Sequence, residues 1–254
     1  MISYIINHRG DNGKRLENLE ILINFISQIK SIEVIIVEQD DKSKLQNFGF
    51  VKKCKHIFVK NSGLFNRSWG LNVGYRHSKF DNLMFADNDI LIPEKNIIES
   101  IQKLKIYPVV KPYDNFIDLT PKESQQVKNK TISLNNINRS GRGGTNICSG
   151  NIILTKTAFE VIGGWDERFR GWGGEDDCLA HYKIPLLLGN DKSIKISGHG
   201  YHLWHERTIN DTHKQEHYQK NLDILKWYST ATKDEIINTI NLKEIGLENK
   251  YENE

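Results

Sequence analysis

The sequence has little cysteine and no long apolar run. Its three cysteines, Cys54, Cys148 and Cys178, are too few and too scattered for a disulfide framework or a CxxC metal site, which favours a reducing, cytoplasmic compartment. The longest apolar runs, such as 35–37 and 185–188, cover only a few residues, whereas a membrane span needs about 18–20. We therefore expect no membrane span.

The sequence also leads us to expect neither a signal peptide nor a concentrated basic face. Residues 1–7 form a short apolar run without a basic leader or a small-residue cleavage site. The 35 lysines and arginines exceed the 32 aspartates and glutamates only slightly, and the net charge of +3 is spread along the chain. Binding to a phosphate backbone needs a concentrated basic face, so nucleic acid is not an expected partner.

Strand and helix patterns alternate through the first 110 residues. Apolar runs typical of buried strands occupy 3–7, 33–38, 56–59 and 82–86, and helical stripes occupy 15–29, 68–75 and 97–104. This order predicts an α/β fold with a mainly parallel central sheet and helices on both faces. Ligands of such sheets bind at the carboxyl ends of the strands. The length of 254 residues allows one large domain or two small ones.

The pattern is lost between residues 111 and 144, which are rich in Asn, Lys, Ser and Thr and end in the glycine-rich segment 140–144. A stretch of this length indicates either a functional loop or a disordered one. Further elements are expected beyond it: a strand at 152–154, and helices at 156–162, from 175, at 216–228 and at 233–245.

Two acids, Asp87 and Asp89, stand one residue apart at the end of the predicted strand 82–86. Such carboxylates can share a hard divalent cation with a diphosphate, because these cations take oxygen ligands. Capping of a turn or a helix is the alternative for the same residues. The pair alone does not decide between the two interpretations.

A glycine-rich segment, 171–177, joins Trp172 to three successive acids, Glu175, Asp176 and Asp177. Glycines let a backbone approach a ligand closely, and a tryptophan offers a flat face to a sugar ring. The alternative is a helix cap with a core tryptophan, but a cap needs one acid and adjacent like charges repel each other. The segment therefore favours a functional role.

Histidines are concentrated late in the chain, since five of the nine lie between 199 and 217. Neutral imidazoles at the i, i+3 spacing of His202 and His205 can complete the coordination of a metal that a carboxylate already holds. His213 and His217 are assigned to a solvated helix face. Arg67, at the opening of a predicted helix, can meet a phosphate, although alone it says little.

Taken in this order, the segments resemble the β-1,4-galactosyltransferase family. The segments that carry this resemblance are FNR at 65–67, LNVGY at 71–75, FADND at 85–89, GWGGEDD at 171–177 and a late histidine. The part from Ser149 through GGWDERF at 163–169 to Asp177 also resembles the polypeptide GalNAc-transferases and the GalNAc-transferring module of bacterial chondroitin polymerase. The resemblance covers about residues 1–210.

The resemblance implies a GT-A glycosyltransferase: a single nucleotide-binding α/β domain that uses a UDP-sugar and Mn²⁺, with Mg²⁺ as the alternative, and inverts the anomeric carbon. It divides the chain into a catalytic domain, 1–212, and a C-terminal helical extension, 213–254. Within the domain the donor-binding half is about 1–110, the flexible segment 111–144 and the acceptor half 145–212. Residues 140–146 are expected to close over the donor.

The same resemblance implies a role for each matching residue. Asp89 would bind the metal with His205, and His202 stands at the position of a further ligand. Asp176 would be the catalytic base, and Glu175 would orient sugar hydroxyls. Asp87 would approach ribose and diphosphate, and Trp172 would lie beneath donor and acceptor. The full donor-binding set is Arg9, Arg67, Asp87, Asp89, Trp172 and Gly174.

The expected partners are a UDP-sugar donor and a glycan or glycoconjugate acceptor, in the cytoplasm or at the periphery of a membrane that carries the acceptor. The resemblance favours galactose or GalNAc, while glucose, GlcNAc and a uronic acid stay open. Two functions of other classes also stay open. One is a glycosidase that uses the acidic cluster and needs neither nucleotide nor metal, and the other is a non-catalytic sugar-binding module.

Overall fold

The computed structural model describes residues 1–10, 13–143, 146–206 and 216–251. Its strands are β1 (Ile2–His8), β2 (Ile32–Asp40), β3 (Lys55–Lys60), β4 (Asn82–Ala86), β5 (Ile90–Leu91), β6 (Val109–Lys111), β7 (Asn115–Asp118), β8 (Asn151–Thr155), β9 (Ser193–Lys195) and β10 (His199–His202). Its α-helices are α1 (Lys14–Ile26), α2 (Arg67–Arg76), α3 (Glu94–Lys103), α4 (Pro121–Lys128), α5 (Lys156–Val161), α6 (Glu175–Asp177), α7 (Ile184–Leu187), α8 (Glu216–Thr230) and α9 (Lys233–Asn238). A π-helix, Cys178–Lys183, joins α6 to α7, and short 3-10 turns occupy Leu45–Asn47, Gly49–Lys53 and Leu134–Asn136.

Seven strands form the central sheet, in the order β3-β2-β1-β4-β8-β6-β9. The pairings from β3 to β4 are parallel, as is that of β6 with β9, whereas β8 runs antiparallel to both β4 and β6. Every residue of the central strand β1 is buried, as expected of a parallel strand that is covered on both faces. The predicted α/β class with a mainly parallel central sheet is confirmed.

Successive side chains of β1 enter different hydrophobic cores, because strand side chains alternate between the two faces of a sheet. Tyr4 and Ile6 pack into a core with Leu19 and Leu22 of α1. Ile5 packs into another core, together with residues of α2. Helices therefore cover both faces of the sheet, as predicted.

Helix α2 lies very close to β1. A Cβ at Gly74 would come within 2.2 Å of Ile5 Cγ2, so the approach requires a glycine at this position. At the start of the helix, Asn7 near the end of β1 donates to the Arg67 carbonyl at 3.1 Å, and the Asn66 side chain caps the helix. These contacts hold Arg67 at the carboxyl end of the sheet.

The segment 111–144, expected to be a loop, contains β7 and α4. Helix α4 begins with a capping box between Thr120 and Glu123 and has Pro121 in its first turn. Only Ser124 of this helix is buried, so no apolar stripe marks it in the sequence. The expectation of a loop is wrong for these elements, and the flexibility of the segment stays a prediction. The helix predicted at 233–245 is also shorter, because α9 ends at Asn238.

A smaller sheet, in the order β5-β10-β7, continues from the end of β4. Strand β10 pairs antiparallel with β5, which places His202 opposite Ile90, and parallel with β7, which places His202 opposite Asp118. Strand β5 follows Asp89 directly, and the Asp89 carbonyl accepts from Leu203 N at 2.7 Å. This sheet therefore brings the late histidines to the predicted acidic pair.

Residues 216–251 pack against the core on the α2 face through Tyr228, Ile236 and Tyr251. The Tyr251 hydroxyl accepts from Asn66 Nδ2 at 2.8 Å. The predicted boundary at 212, like His213, lies outside the described residues, so the division into domain and extension stays a prediction. Across the described part of the chain, no helix combines the length and the apolar character that crossing a membrane requires.

Candidate active site

Arg67 links the two acidic clusters predicted from separate motifs. Its Nη2 donates to Asp87 Oδ1 at 2.9 Å and its Nη1 to Asp176 Oδ1 at 3.0 Å. The guanidinium also lies over the Trp165 ring, 5.0 Å from its centroid. Burial acts to lower the pKa of Arg67, but the charges of Asp176, Asp87 and Glu175 outweigh burial and raise the pKa. One partly buried arginine therefore pairs with acids that lie far apart in the chain.

Asp89, His202 and His205 form a second cluster. His205 Nε2 lies 3.3 Å from Asp89 Oδ2, and His202 Nε2 lies 3.8 Å from Asp89 Oδ1. Each of the three residues offers one ligand atom, and these three atoms all lie within 4.8 Å of one another. A carboxylate with two imidazoles suits a cation such as Mn²⁺ better than Ca²⁺, which prefers oxygen ligands alone. The structure thus brings the three predicted ligands together, and their donor set fits the predicted metal.

The glycine-rich segment 171–177 turns sharply before α6. Gly174 has a φ of +101°, and a Cβ there would come within 2.7 Å of the Phe169 ring, so this position requires glycine. Helix α6 begins at Glu175, as predicted, with Asp176 and Asp177 in the same turn. Unpaired N–H groups at a helix start favour negative charge. The turn therefore presents a row of acids, of which Asp176 meets Arg67.

Two carboxyl groups of α6 have raised pKa values. Burial raises the pKa of Asp176 to about 7, with the charges of Glu175 and Asp87 adding to the rise and that of Arg67 opposing it. Burial is also the largest cause of the raised pKa of Glu175. About 29% of the Asp176 side chain stays exposed. A carboxylate that titrates near neutral pH and can still be reached is suited to general-base catalysis.

Two cavities meet at Asp176. The larger has a volume of about 790 Å³, and Asp87 and His202 are among its lining residues. The smaller has a volume of about 250 Å³, and its lining includes Trp172 and Tyr218. The residues that line both cavities are Asn146, Ser149, Asp176 and Asp177. A group bound in either cavity is therefore next to the same acid.

Trp172 and Arg9, two of the predicted donor-binding residues, contact other parts of the protein. Trp172 is 56% exposed and stacks on Tyr218 of α8, with ring centroids 5.9 Å apart. Arg9 donates to three backbone carbonyls at distances between 2.7 and 3.0 Å, so its guanidinium braces the loop that follows β3. The donor-binding roles of Arg9, Trp172 and Gly174 stay predictions.

The segment predicted to close over the donor, 140–146, is described in part. Arg142 pairs its backbone with Phe116 and lines the larger cavity together with Asn146. Gly144 and Thr145 lie outside the described residues. Closure of this segment stays a prediction.

The structure adds site residues that the motifs missed. Lys111 is fully buried and donates to the Ser149 carbonyl, and burial lowers the pKa of Lys111 to about 8. The sequence signal for it is a lysine at the end of the apolar strand β6. Asn221 of α8 donates to the carbonyls of Arg170 and Gly173 at 3.0 and 2.8 Å, which holds the glycine-rich segment. No sequence pattern marks Asn221.

Comparison with known sequences supports the resemblance. A family model described as the N-terminal domain of galactosyltransferase matches residues 133–181. Human chondroitin sulfate N-acetylgalactosaminyltransferase 1 is 27% identical over 207 residues, which cover 76% of this chain and 35% of that protein. Human chondroitin sulfate N-acetylgalactosaminyltransferase 2 is 31% identical over 170 residues, 61% of this chain and 29% of that protein. The chain thus spans about a third of the length of these relatives.

Solved structures with the same fold come from several organisms. Glucosyl-3-phosphoglycerate synthase from Mycobacterium tuberculosis, in complex with Mn²⁺, UDP and glucosyl-3-phosphoglycerate, has a TM-score of 0.59 at 12% identity, over 91% of this chain and 81% of that one. The mannosyltransferase PcManGT from Pyrobaculum calidifontis, in complex with GDP-Man and Mn²⁺, has a TM-score of 0.56 at 14% identity, over 96% of this chain and 70% of that one. TarS from S. aureus, in complex with UDP-GlcNAc, has a TM-score of 0.54 at 12% identity, over 96% of this chain and 77% of that one. The chain therefore has the GT-A glycosyltransferase fold, and its resemblance to galactosyl- and N-acetylgalactosaminyltransferases is confirmed.

Proposed function

We propose that this protein is a metal-dependent, inverting glycosyltransferase. It transfers a hexose or an N-acetylhexosamine, with galactose or GalNAc preferred, from a UDP-sugar to a hydroxyl of a glycan acceptor. Asp176 acts as the general base. The preference for the sugar rests on the galactosyltransferase family model and on the chondroitin GalNAc-transferases among the relatives.

The observation that carries the proposal is the meeting of the two cavities at Asp176. An inverting transfer needs the donor and the acceptor on either side of one base, since the hydroxyl attacks the anomeric carbon from the face opposite the departing diphosphate. The larger cavity, with Asp87 and His202 in its wall, suits a nucleotide-sugar. The smaller cavity, with Trp172 and Tyr218, suits a pyranose ring of the acceptor, because aromatic faces stack on sugar rings.

The cation would be held by Asp89, His202 and His205. When bound, it would neutralise the charge that develops on the departing diphosphate. Mn²⁺ with a nucleotide or a nucleotide-sugar occurs in two of the three structures described above, and the carboxylate and imidazole donors of this chain suit that metal. Asp87 is paired with Arg67 and lines the larger cavity together with His202, where it would contact the ribose or the diphosphate.

Asp176 takes the proton of the acceptor hydroxyl. Its pKa of about 7 makes it a stronger base than an ordinary aspartate, while a large fraction is still ionised at neutral pH. Arg67 Nη1 holds one of its carboxylate oxygens, which fixes the direction of the other. Glu175 precedes it in the same helical turn, with its pKa also raised, and would bond a sugar hydroxyl.

A donor screen tests the proposal. The protein is incubated with Mn²⁺ and a panel of nucleotide-sugars, and UDP release is measured with and without an array of glycan acceptors. UDP release that depends on one donor, on Mn²⁺ and on an acceptor supports it. A glycosidase would cleave a glycan in the presence of a chelator and without nucleotide, and a non-catalytic module would bind sugar without releasing UDP.

A matched pair of variants assigns the base. Asp176→Asn removes the proton acceptor, and Asp177→Asn makes the same change one residue later, on a side chain that is 54% exposed. Loss of transfer in the first variant and retention in the second supports Asp176. The reverse result places the base at Asp177.

A further inference from the structure

His202 has a second carboxylate on the side of the ring away from Asp89. Its Nδ1 lies 3.0 Å from Asp118 Oδ1, while its Nε2 faces Asp89. The pairing of β10 with β7 sets this contact, because it places His202 directly opposite Asp118. Both ring nitrogens of His202 therefore face carboxylates.

Asp118 is itself held from outside the metal cluster. Arg142 Nε donates to its Oδ2 at 2.6 Å, and Arg142 Nη2 donates to its Oδ1 at 3.2 Å. The backbone of Arg142 exchanges two hydrogen bonds with Phe116, at 2.7 and 3.0 Å, and its guanidinium lies over the Phe116 ring. A fork of two bonds to a planar carboxylate fixes its orientation as well as its position.

A carboxylate at Nδ1 decides which nitrogen of His202 is available to a metal. Asp118 Oδ1 lies within hydrogen-bond distance of Nδ1, whereas Asp89 Oδ1, at 3.8 Å from Nε2, does not. An ionised carboxylate only accepts hydrogen bonds, so the single ring proton of a neutral imidazole lies on Nδ1 and Nε2 keeps its lone pair. His205 has the same arrangement, since its Nδ1 lies 2.9 Å from the Glu206 carbonyl oxygen and its Nε2 faces Asp89. Both histidines thus present Nε2 to the same point.

From this geometry we propose that Asp118 is a positioning residue for the metal ligand His202 and that Arg142 holds Asp118 in place. The proposal rests on the proposed function only in taking Asp89, His202 and His205 as the metal site. It adds a carboxylate, an arginine and the strand β7 to that site. Partners of this kind orient ligating histidines and strengthen their basicity.

Titration of Mn²⁺ alone into the metal-stripped full chain is the first test. The free cation is read by electron paramagnetic resonance, so no nucleotide, sugar or turnover is involved. Asp118→Asn and Asp118→Ala are expected to raise the Kd for Mn²⁺ by about 10- to 100-fold. Glu123→Gln is the matched control, because it removes another nearby carboxylate that pairs with an arginine, Arg139, in an exposed ion pair, and its Kd should equal that of the wild type.

The number of coordinated imidazoles separates positioning from a loss of stability. Electron spin echo modulation of bound Mn²⁺ should show two imidazole nitrogens in the wild type and one in Asp118→Ala. Two imidazoles and an unchanged Kd in both Asp118 variants would overturn the proposal.

The tautomer of His202 tests the proposal without any substitution, and it decides the matter if the Asp118 variants do not fold. Nitrogen-15 resonance of the metal-free wild type at pH 8 should show the proton on Nδ1, and a proton on Nε2 would overturn the proposal. Failure of the proposed function looks different. Asp118-dependent Mn²⁺ binding without UDP release from any donor would refute the glycosyltransferase and leave this inference intact, whereas UDP release with Mn²⁺ affinity independent of Asp118 would do the opposite.

Discussion

Loss of the Asp176 carboxylate should separate chemistry from binding. Asp176→Asn keeps the shape of the side chain and its oxygen beside Arg67, but it removes the proton acceptor. General-base catalysis contributes about 10²- to 10⁴-fold, so kcat should fall at least about 100-fold, equivalent to about 2.7 kcal/mol of transition-state stabilisation. The affinities for UDP and Mn²⁺ should stay near wild type, because a group that acts only in the transition state does not alter ground-state binding.

The pH dependence of the wild type follows from the same residue. A base is active when ionised, so activity should be lost as the pH falls through the pKa of Asp176, about 7. The ionised fraction drops from about one half at pH 7 to about one tenth at pH 6, which predicts a roughly fivefold decrease in kcat/KM over that unit.

The assay is UDP release at saturating acceptor, measured from pH 5.5 to 8.5, with calorimetry for UDP and Mn²⁺. Asp177→Asn should lower the free energy of unfolding by no more than about 1 kcal/mol, as expected of an acid that only complements a helix start. Glu175→Gln should raise KM as well as lower kcat, if Glu175 bonds a sugar hydroxyl. Near-normal kcat in Asp176→Asn, or a collapse of its UDP binding, would refute the assignment of the base.

Three further predictions concern the metal, the acceptor and the segment 140–146. His205→Ala should weaken Mn²⁺ binding at least about tenfold in calorimetry, and unchanged Mn²⁺ binding would contradict the metal assignment. Tyr218→Ala should raise the acceptor KM about fivefold, from about 1 kcal/mol of lost stacking, and leave the donor KM unchanged. A rise in the donor KM would instead place this aromatic wall in the donor site. Cleavage by trypsin after Arg142 should slow in the presence of UDP and Mn²⁺, since Arg142 lines the larger cavity; equal rates would exclude closure.

The parallel half of the sheet was predictable from the sequence because its strands are buried on both faces. Strands β1, β2 and β4 each contain an apolar run, at 4–6, 34–37 and 83–86, and apolar runs between helical stripes are typical of such sheets. Helix α4 escaped prediction because it buries only Ser124, and strand β7 because it is only four residues long, with two buried. The signals of that helix were local, a capping box between Thr120 and Glu123 and a proline in the first turn, rather than periodicity.

The acids and histidines of the site were predictable by residue type, but their partners were not. Each motif lies at a strand end or a helix start, where α/β sheets bind their ligands. The sharing of Arg67 by Asp87 and Asp176 depends on how α2 and α6 pack, and the contact of Asp118 with His202 depends on the register of β7 with β10. No local sequence pattern predicts either contact, because both contacts join segments that lie far apart in the chain.

The hydrogen bond between Tyr251 and Asn66 means that segments far apart in the chain together support the start of the helix that carries Arg67. Asn66 caps α2 immediately before Arg67, and its amide donates to the Tyr251 hydroxyl and to the Glu167 carbonyl. The Tyr251 ring also packs edge-on against Trp69, 4.6 Å between centroids. A shortened protein that stops at residue 212 would keep every proposed catalytic and metal-binding residue and still lose the support of the helix that presents Arg67.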